Sequence, residues 1–182
     1  GLAGFRGAVR FVRKFGYPGN ADPECEHIWL TCDGCTDCTL IQLNGTRLPQ
    51  GSGCSFAFDI TSLMSDRNQL DVVIDAKSDD AGLWGEVALE IRKDAYLADV
   101  CAVLEASRLC VTGKVVGAAP QPLELYTLLD NRNADYRAIA PSPDGTSFRI
   151  DLPDVVPTAQ SVRVELIHIS SVWYVVELPN SH

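Results

Sequence analysis

FAFDITSLMSDRNQLDVVI, residues 56–74, decides the fold class. Phe56-Ala57-Phe58-Asp59-Ile60 alternates apolar with small or charged side chains, the period of a strand with one buried face. From Gln69 to Ile74 an apolar, β-branched run resumes. Between the two runs, Thr61 is placed to cap a short helical turn through its hydroxyl while Leu63 and Met64 point inward. A chain that leaves one sheet, turns a capped corner and enters another is building a sandwich.

The same signals extend in both directions. Before residue 93, strands are expected over 9–15, 27–32, 39–44, 55–60, 70–75 and 83–92, punctuated by GYPGNADP, NGTRLPQGSG and KSDDAG, whose Gly, Pro, Asn and Asp favour turns. After Lys93-Asp94 the pattern restarts over 97–104, 108–116, 123–129, 135–140, 147–152, 161–169 and 172–178. Seven short strands without a long amphipathic helix are what an immunoglobulin-like sandwich needs. The expectation is therefore all-β: a first sandwich over residues 1–95 and an immunoglobulin-like β-sandwich over 96–182.

Composition narrows the function. The chain has 182 residues, 46% hydrophobic and 21% charged, enough apolar surface for packed cores. Its formal charge of −9 argues against a sequence-independent hold on nucleic acid or anionic lipid, both of which rest on clustered Lys and Arg. No apolar run approaches the roughly 20 residues that span a bilayer. The opening GLAGFRGAVRFVRKF has no signal-peptide core, and seven cysteines are not the even framework of a small secreted scaffold. A reducing, cytoplasmic setting is the expectation, with a processed secreted form left open.

Three constellations carry candidate chemistry. Cys32, Cys35 and Cys38 have thiolate spacing that suits zinc, with Cys25 or Cys54 as a fourth ligand, but free cysteine is commonly buried as a small apolar residue, and structural thiols are favoured over zinc or a disulfide. Cys101 and Cys110 flank an expected hairpin at 105–107 and read as buried thiols facing each other. Asp79 and Asp80 read as a solvated turn, with a calcium loop as the sharper alternative. No cofactor is called for. His27, His168 and His182 read as structural, and Glu86, Glu90 and Glu105 as solvent-side strand residues. Asn44-Gly45 reads as a tight hairpin turn rather than a glycosylation site.

Aromatic side chains are weighed as sugar platforms. Tyr17 sits in a turn and is the surface candidate. Trp84 reads as packed at a strand start, with a ligand platform as the alternative. Trp29 is open to either layer. Trp173 and Tyr174 are neighbours on one strand and are expected to face opposite ways, one of them exposed.

Together VRFVRKF (9–15), IQLNGTRL (41–48), FAFDITSLMSDRNQLDVVI (56–74) and AGLWGEVALEIR (81–92) resemble the sugar-binding jelly roll that opens glycoside hydrolase family 2 enzymes. A strand ending in Asn-Gly, the Phe-Asp-Ile-Thr corner, Asn-x-Leu-x-Val and Gly-hydrophobic-aromatic occur in that family's order. The resemblance implies a galactose-binding-like jelly roll over 1–95 followed by an immunoglobulin-like domain. It also implies that the catalytic glutamates belong to a barrel domain, which takes about 250 residues and is not contained here. The expected function is that of a non-catalytic carbohydrate-binding module, with Tyr17, Trp84, Asp79 and Asp80 as candidate ligand contacts and loops 17–24, 46–54 and 76–84 as the rim. The alternative is a structural or protein-interaction module, either a homo-oligomer built through its sheets or the front end of a larger glycosidase.

Overall fold

The computed structural model describes residues 4–19, 21–22, 25–49, 54–105, 108–152 and 161–179. Parts of the expected rim loops, the hairpin tip at 106–107 and His182 lie outside them. The chain is all-β, and its packing divides into two units, Gly1–Ile91 and Arg92–His182. The border expected from sequence stood at 95/96. Among the described residues, no helix is long and apolar enough to cross a membrane.

The first unit contains β1 (Gly7–Gly16), β2 (Glu26–Cys32), β3 (Cys35–Thr36), β4 (Cys38–Leu43), β5 (Thr46–Arg47), β6 (Phe56–Asp59), β7 (Arg67–Ala76), β8 (Gly82–Leu83) and most of β9 (Val87–Lys93), whose last two residues fall past the border. One sheet runs β1-β7-β4-β5 and another β6-β2-β9, with β3 and β8 paired beside them. Alternation decides what lies between the sheets. Leu70, Val72, Ile74 and Ala76 of β7 point inward, as do Ile41 and Leu43 of β4, and they meet Ile28, Leu30 and Phe56 of the other sheet. On the opposite side of β7, Asp71 is covered by Arg10, whose Nη2 approaches its carboxylate at 2.6 Å, and by Gln69. The hydrogen bond from Gln69, followed by the guanidinium of Arg10, holds this carboxyl below the usual aspartate range.

The corner between β6 and β7 exists, but the expected cap does not. Residues Thr61–Leu63 form one 3-10 turn without a side-chain cap. Instead the Thr61 hydroxyl donates to Asp59 Oδ1 at 2.6 Å and accepts the Ile28 N–H at 2.8 Å, tying the corner back to β2. Asp59 Oδ1 also accepts the Thr61 N–H at 3.0 Å. Leu63 and Met64 pack against the core, as expected.

The second unit comprises β10 (Ala95–Glu105), β11 (Arg108–Gly117), β12 (Leu123–Leu129), β13 (Arg132–Ile139), β14 (Thr146–Leu152), β15 (Ser161–His168) and β16 (Ser171–Pro179). A β10-β11-β14 sheet and a β13-β12-β15-β16 sheet make an immunoglobulin-like sandwich in which the chain repeatedly changes sheet. Val111, Val115, Leu123, Leu125, Val164 and Leu166 fill its core.

Two expectations in this unit are corrected by register. Cys101 pairs with Thr112 and Cys110 with Val103, so the two thiols do not face each other; Cys110 is buried and Cys101 exposed. On β16, Tyr174 pairs with Leu166 and Val172 with Ile167, leaving Trp173 as the extra residue of a bulge. The bulge breaks alternation, so both rings are half-buried against the core: Trp173 on His168 at 4.8 Å and Tyr174 against Tyr96 at 6.0 Å.

Candidate functional site

The run expected as one strand over 83–92 is split in the structure, and the break makes the site. Residues 84–86 leave β8 and cross the loop that joins β2 to β3. The amides of Trp84 and Gly85 both donate to the Gly34 carbonyl, at 3.1 and 3.0 Å, and Asp33 N–H donates to the Glu86 carbonyl at 3.0 Å. Two glycines permit this approach. A methyl group on Gly34 would penetrate the indole of Trp84, and one on Gly85 would stand 2.6 Å from the Asp33 carbonyl carbon. The indole therefore lies on bare backbone.

Its orientation is set at the edge. Trp84 Nε1–H donates to Thr36 Oγ1 at 3.1 Å, satisfying the polar edge within the protein. Even so, 60% of the residue is exposed. Of the two sequence readings, packed or platform, the structure combines parts of both: the ring packs on Gly34 and still presents a broad surface to solvent. Beside it is a cleft of about 430 Å³ lined by Thr36, Asp79, Asp80, Ala81 and Trp84.

The turn carrying the two aspartates is held by a residue that the sequence reading missed. Asp37 adopts a left-handed backbone, φ 60°, between β3 and β4. Its Oδ2 accepts the N–H groups of Lys77 at 2.9 Å and Ser78 at 3.2 Å, and the Ser78 hydroxyl at 3.3 Å. The Lys77 N–H, with the Ser78 groups adding to it, keeps the Asp37 carboxyl below the ordinary aspartate range. The signal was a lone Asp between Thr36 and Cys38, which reads locally as a turn residue; its partners are distant in sequence, at Lys77 and Ser78.

A depressed folded-state value means that the ionised form of Asp37 stabilises the fold. That contribution is complete above the unfolded-chain value of about 3.9 and is lost as pH falls through the lower folded value. Asp37→Asn, which keeps one carbonyl acceptor, is expected to melt below the wild type at neutral pH. The gap should shrink as pH is lowered towards 3, roughly one unit under the usual aspartate value. Paired thermal melts check this; a gap that stays constant to acid pH would show that the charge of Asp37 has no part in holding the turn.

Tyr17 does not join this group. In the β1–β7 pair Gly16 stands opposite Arg67 and Gly7 opposite Ala76, so Tyr17 is at one end of β7 and Asp79, Asp80 and Trp84 follow the other, about 30 Å away at 3.3 Å per residue. Tyr17 is 40% exposed. A larger hollow near it, about 630 Å³, is bordered by Lys14, Asn44, Arg67, Asn68 and Gln69. Its amides bind one another and the backbone: Asn44 Nδ2 donates to Leu63 O and Asn68 Oδ1, and Asn68 Nδ2 to Ser65 O. That network locks the Asn44-Gly45 turn, and the aromatic ring that lines the hollow, Phe15, is half-buried against the core. The cleft at Trp84 is the stronger candidate.

None of the seven cysteines is joined in a disulfide. Cys32 and Cys35 are buried and Cys38 is half-buried, and burial pushes all three thiols up. Among the described residues, no three His, Cys, Asp or Glu side chains are grouped to hold a metal. His27 Nδ1 stands 3.2 Å from Asp59 Oδ2, at the corner.

No family model matches the sequence, and no curated protein matches it. Solved structures do match in fold. A β-glucuronidase of glycoside hydrolase family 2 aligns over 96% of this chain and 24% of its own, at TM-score 0.70 and 14% identity. The β-glucuronidase of Bacteroides uniformis aligns over 95% and 26%, at 0.68 and 18%. A family 2 member from Bacteroides cellulosilyticus aligns over 96% and 28%, at 0.70 and 13%. The all-β, two-sandwich fold read from the motifs is therefore that of part of these glycosidases. The chain spans about a quarter of the length of each of these three.

Proposed function

We propose that this chain is a carbohydrate-recognition module, without catalysis of its own, and that its ligand stacks on Trp84. The observation that carries the reading is an indole seated on Gly34, fixed at its edge by Thr36, and 60% exposed beside a cleft with two carboxylates. Sugar rings offer C–H faces to an aromatic plane and hydroxyl donors to carboxylate oxygens. A pre-formed platform with a few convergent polar groups is what such a ligand needs. The fold likeness to family 2 glycosidases supports a carbohydrate setting. The non-catalytic reading draws support from Asp79 and Asp80 being adjacent on one turn, whereas glycoside hydrolysis takes two carboxyl groups facing each other across the scissile bond.

The test is a titration of the chain with neutral oligosaccharides, followed by thermal melt and tryptophan emission. Binding is expected to raise the melting temperature, by the equivalent of about 2.7 kcal/mol at a hundred times the dissociation constant. Trp84→Ala is expected to weaken binding at least about tenfold while the far-ultraviolet spectrum keeps its β signature. A ligand-induced shift that survives in Trp84→Ala would move the site elsewhere, with Tyr17 next.

A second reading, a structural or protein-interaction module, is favoured by the β15–β16 hairpin. Ile169 and Ser170 both have positive φ, and Ile169 is 73% and Val172 47% exposed. A β-branched residue in that conformation is an outlier, and an aliphatic tip held there is shaped for insertion into a partner. Saccharide silence combined with self-association in sedimentation velocity would favour it.

A further inference from the structure

The cleft's hydrogen-bonding inventory says which saccharides it suits. The geometry points to neutral and amine-bearing sugars as ligands of the Trp84 cleft, with uronic acids rejected. This rests on the saccharide reading above and narrows its ligand class.

The polar side chains that line the cleft offer mainly acceptors. Asp79 and Asp80 supply carboxylate oxygens, which accept and cannot donate when ionised. The indole N–H of Trp84, the natural donor for a ligand carboxylate, is already spent on Thr36 Oγ1. Among the lining side chains, what remains for donation is the Thr36 hydroxyl. Nor is there a spare cation beside the cleft among the described residues. Arg6 binds Asp79 at 2.9 Å through Nη2 and donates to the Phe5 carbonyl through Nη1. Lys77 pairs with Asp75 at 3.4 Å. Asp80 has no cationic partner among the described residues.

Two carboxylates and one guanidinium leave the cleft with a residual negative charge. A hydroxyl or an ammonium brings the donors that these oxygens lack. A uronate brings another acceptor and a like charge, with neither an arginine fork nor a free indole N–H to receive it. Because the site is exposed, repulsion between such charges is modest: about 1 kcal/mol at 4 Å in water, or roughly fivefold in affinity, and it is screened by salt. Asp80 is the residue that sets the preference.

The experiment compares length-matched oligomers of glucose and galactose, of glucosamine, and of glucuronate and galacturonate, by calorimetry and Trp84-dependent emission at low and moderate salt. The wild type and Asp80→Asn are run side by side; Asp80 is exposed, and the substitution keeps its shape. Neutral oligomers should bind at least about fivefold more tightly than the uronates at low salt, with the glucosamine oligomer at least as tight as the neutral ones. The gap should narrow with added salt and in Asp80→Asn. Uronates bound as tightly as neutral sugars, or a gap indifferent to salt and to Asp80→Asn, would overturn the preference and leave the saccharide site standing. Silence of Trp84 towards every oligomer would instead overturn the site, and this inference with it.

Discussion

Gly85→Ala is expected to destabilise the chain by about 2 to 4 kcal/mol and to abolish the saccharide binding proposed for Trp84, together with the platform. The added methyl group would overlap the Gly34 amide nitrogen and stand 2.9 Å from its Cα. Its neighbours are backbone, so no side chain can swing aside. Relief requires the Trp84-Gly85-Glu86 crossing to lift away from the β2–β3 loop. That breaks the two hydrogen bonds to the Gly34 carbonyl and the one from Asp33 to Glu86. The seat of the indole goes with them, so Trp84 emission should shift to the red even before unfolding. Denaturant titration gives the stability and emission the seat. A Gly85→Ala chain with wild-type midpoint and emission would mean that the crossing has slack which the structure does not show.

Thr61→Val should cost about 1 to 3 kcal/mol, a large effect for exchanging a hydroxyl for a methyl group of nearly equal volume. The Thr61 hydroxyl makes two hydrogen bonds at once, accepting from the Ile28 N–H and donating to Asp59. Ile28 is fully buried, so its amide, left without the Thr61 oxygen, has no water to turn to. Thr61→Ser retains the oxygen and is expected to recover most of the loss. The readout is the urea midpoint at unchanged slope, since the surface exposed on unfolding stays the same. Equal midpoints for Thr61→Val and the wild type would show that the corner is held by its apolar neighbours alone.

These two positions show how far the amino-acid sequence reaches. At the corner, local pattern was sufficient to place a turn between two strands of different sheets, because alternation and turn chemistry are encoded within a few residues. It was insufficient to say what Thr61 does. Its partner Ile28 lies on another strand, and the capping rule, which is also local, pointed to the wrong partner. In the second unit the same limit shows at Trp173, where a bulge fixed by pairing with β15 overrides the alternation expected of neighbours on a strand.

For the site, sequence alone singled out Trp84, Asp79 and Asp80, and these share one cleft. It put Tyr17 with them, although the antiparallel pairing of β1 with β7 sends Tyr17 to the opposite end. Composition, alternation and turn residues determined an all-β chain of two sandwiches, since those signals act over short range and sum along the strands. Only the tertiary structure decided that Gly34 and Gly85 meet, that Asp37 clamps the turn before Asp79, and that the indole keeps a face to solvent. Each of these depends on backbone segments far apart in sequence coming within hydrogen-bonding distance, and no local preference encodes that.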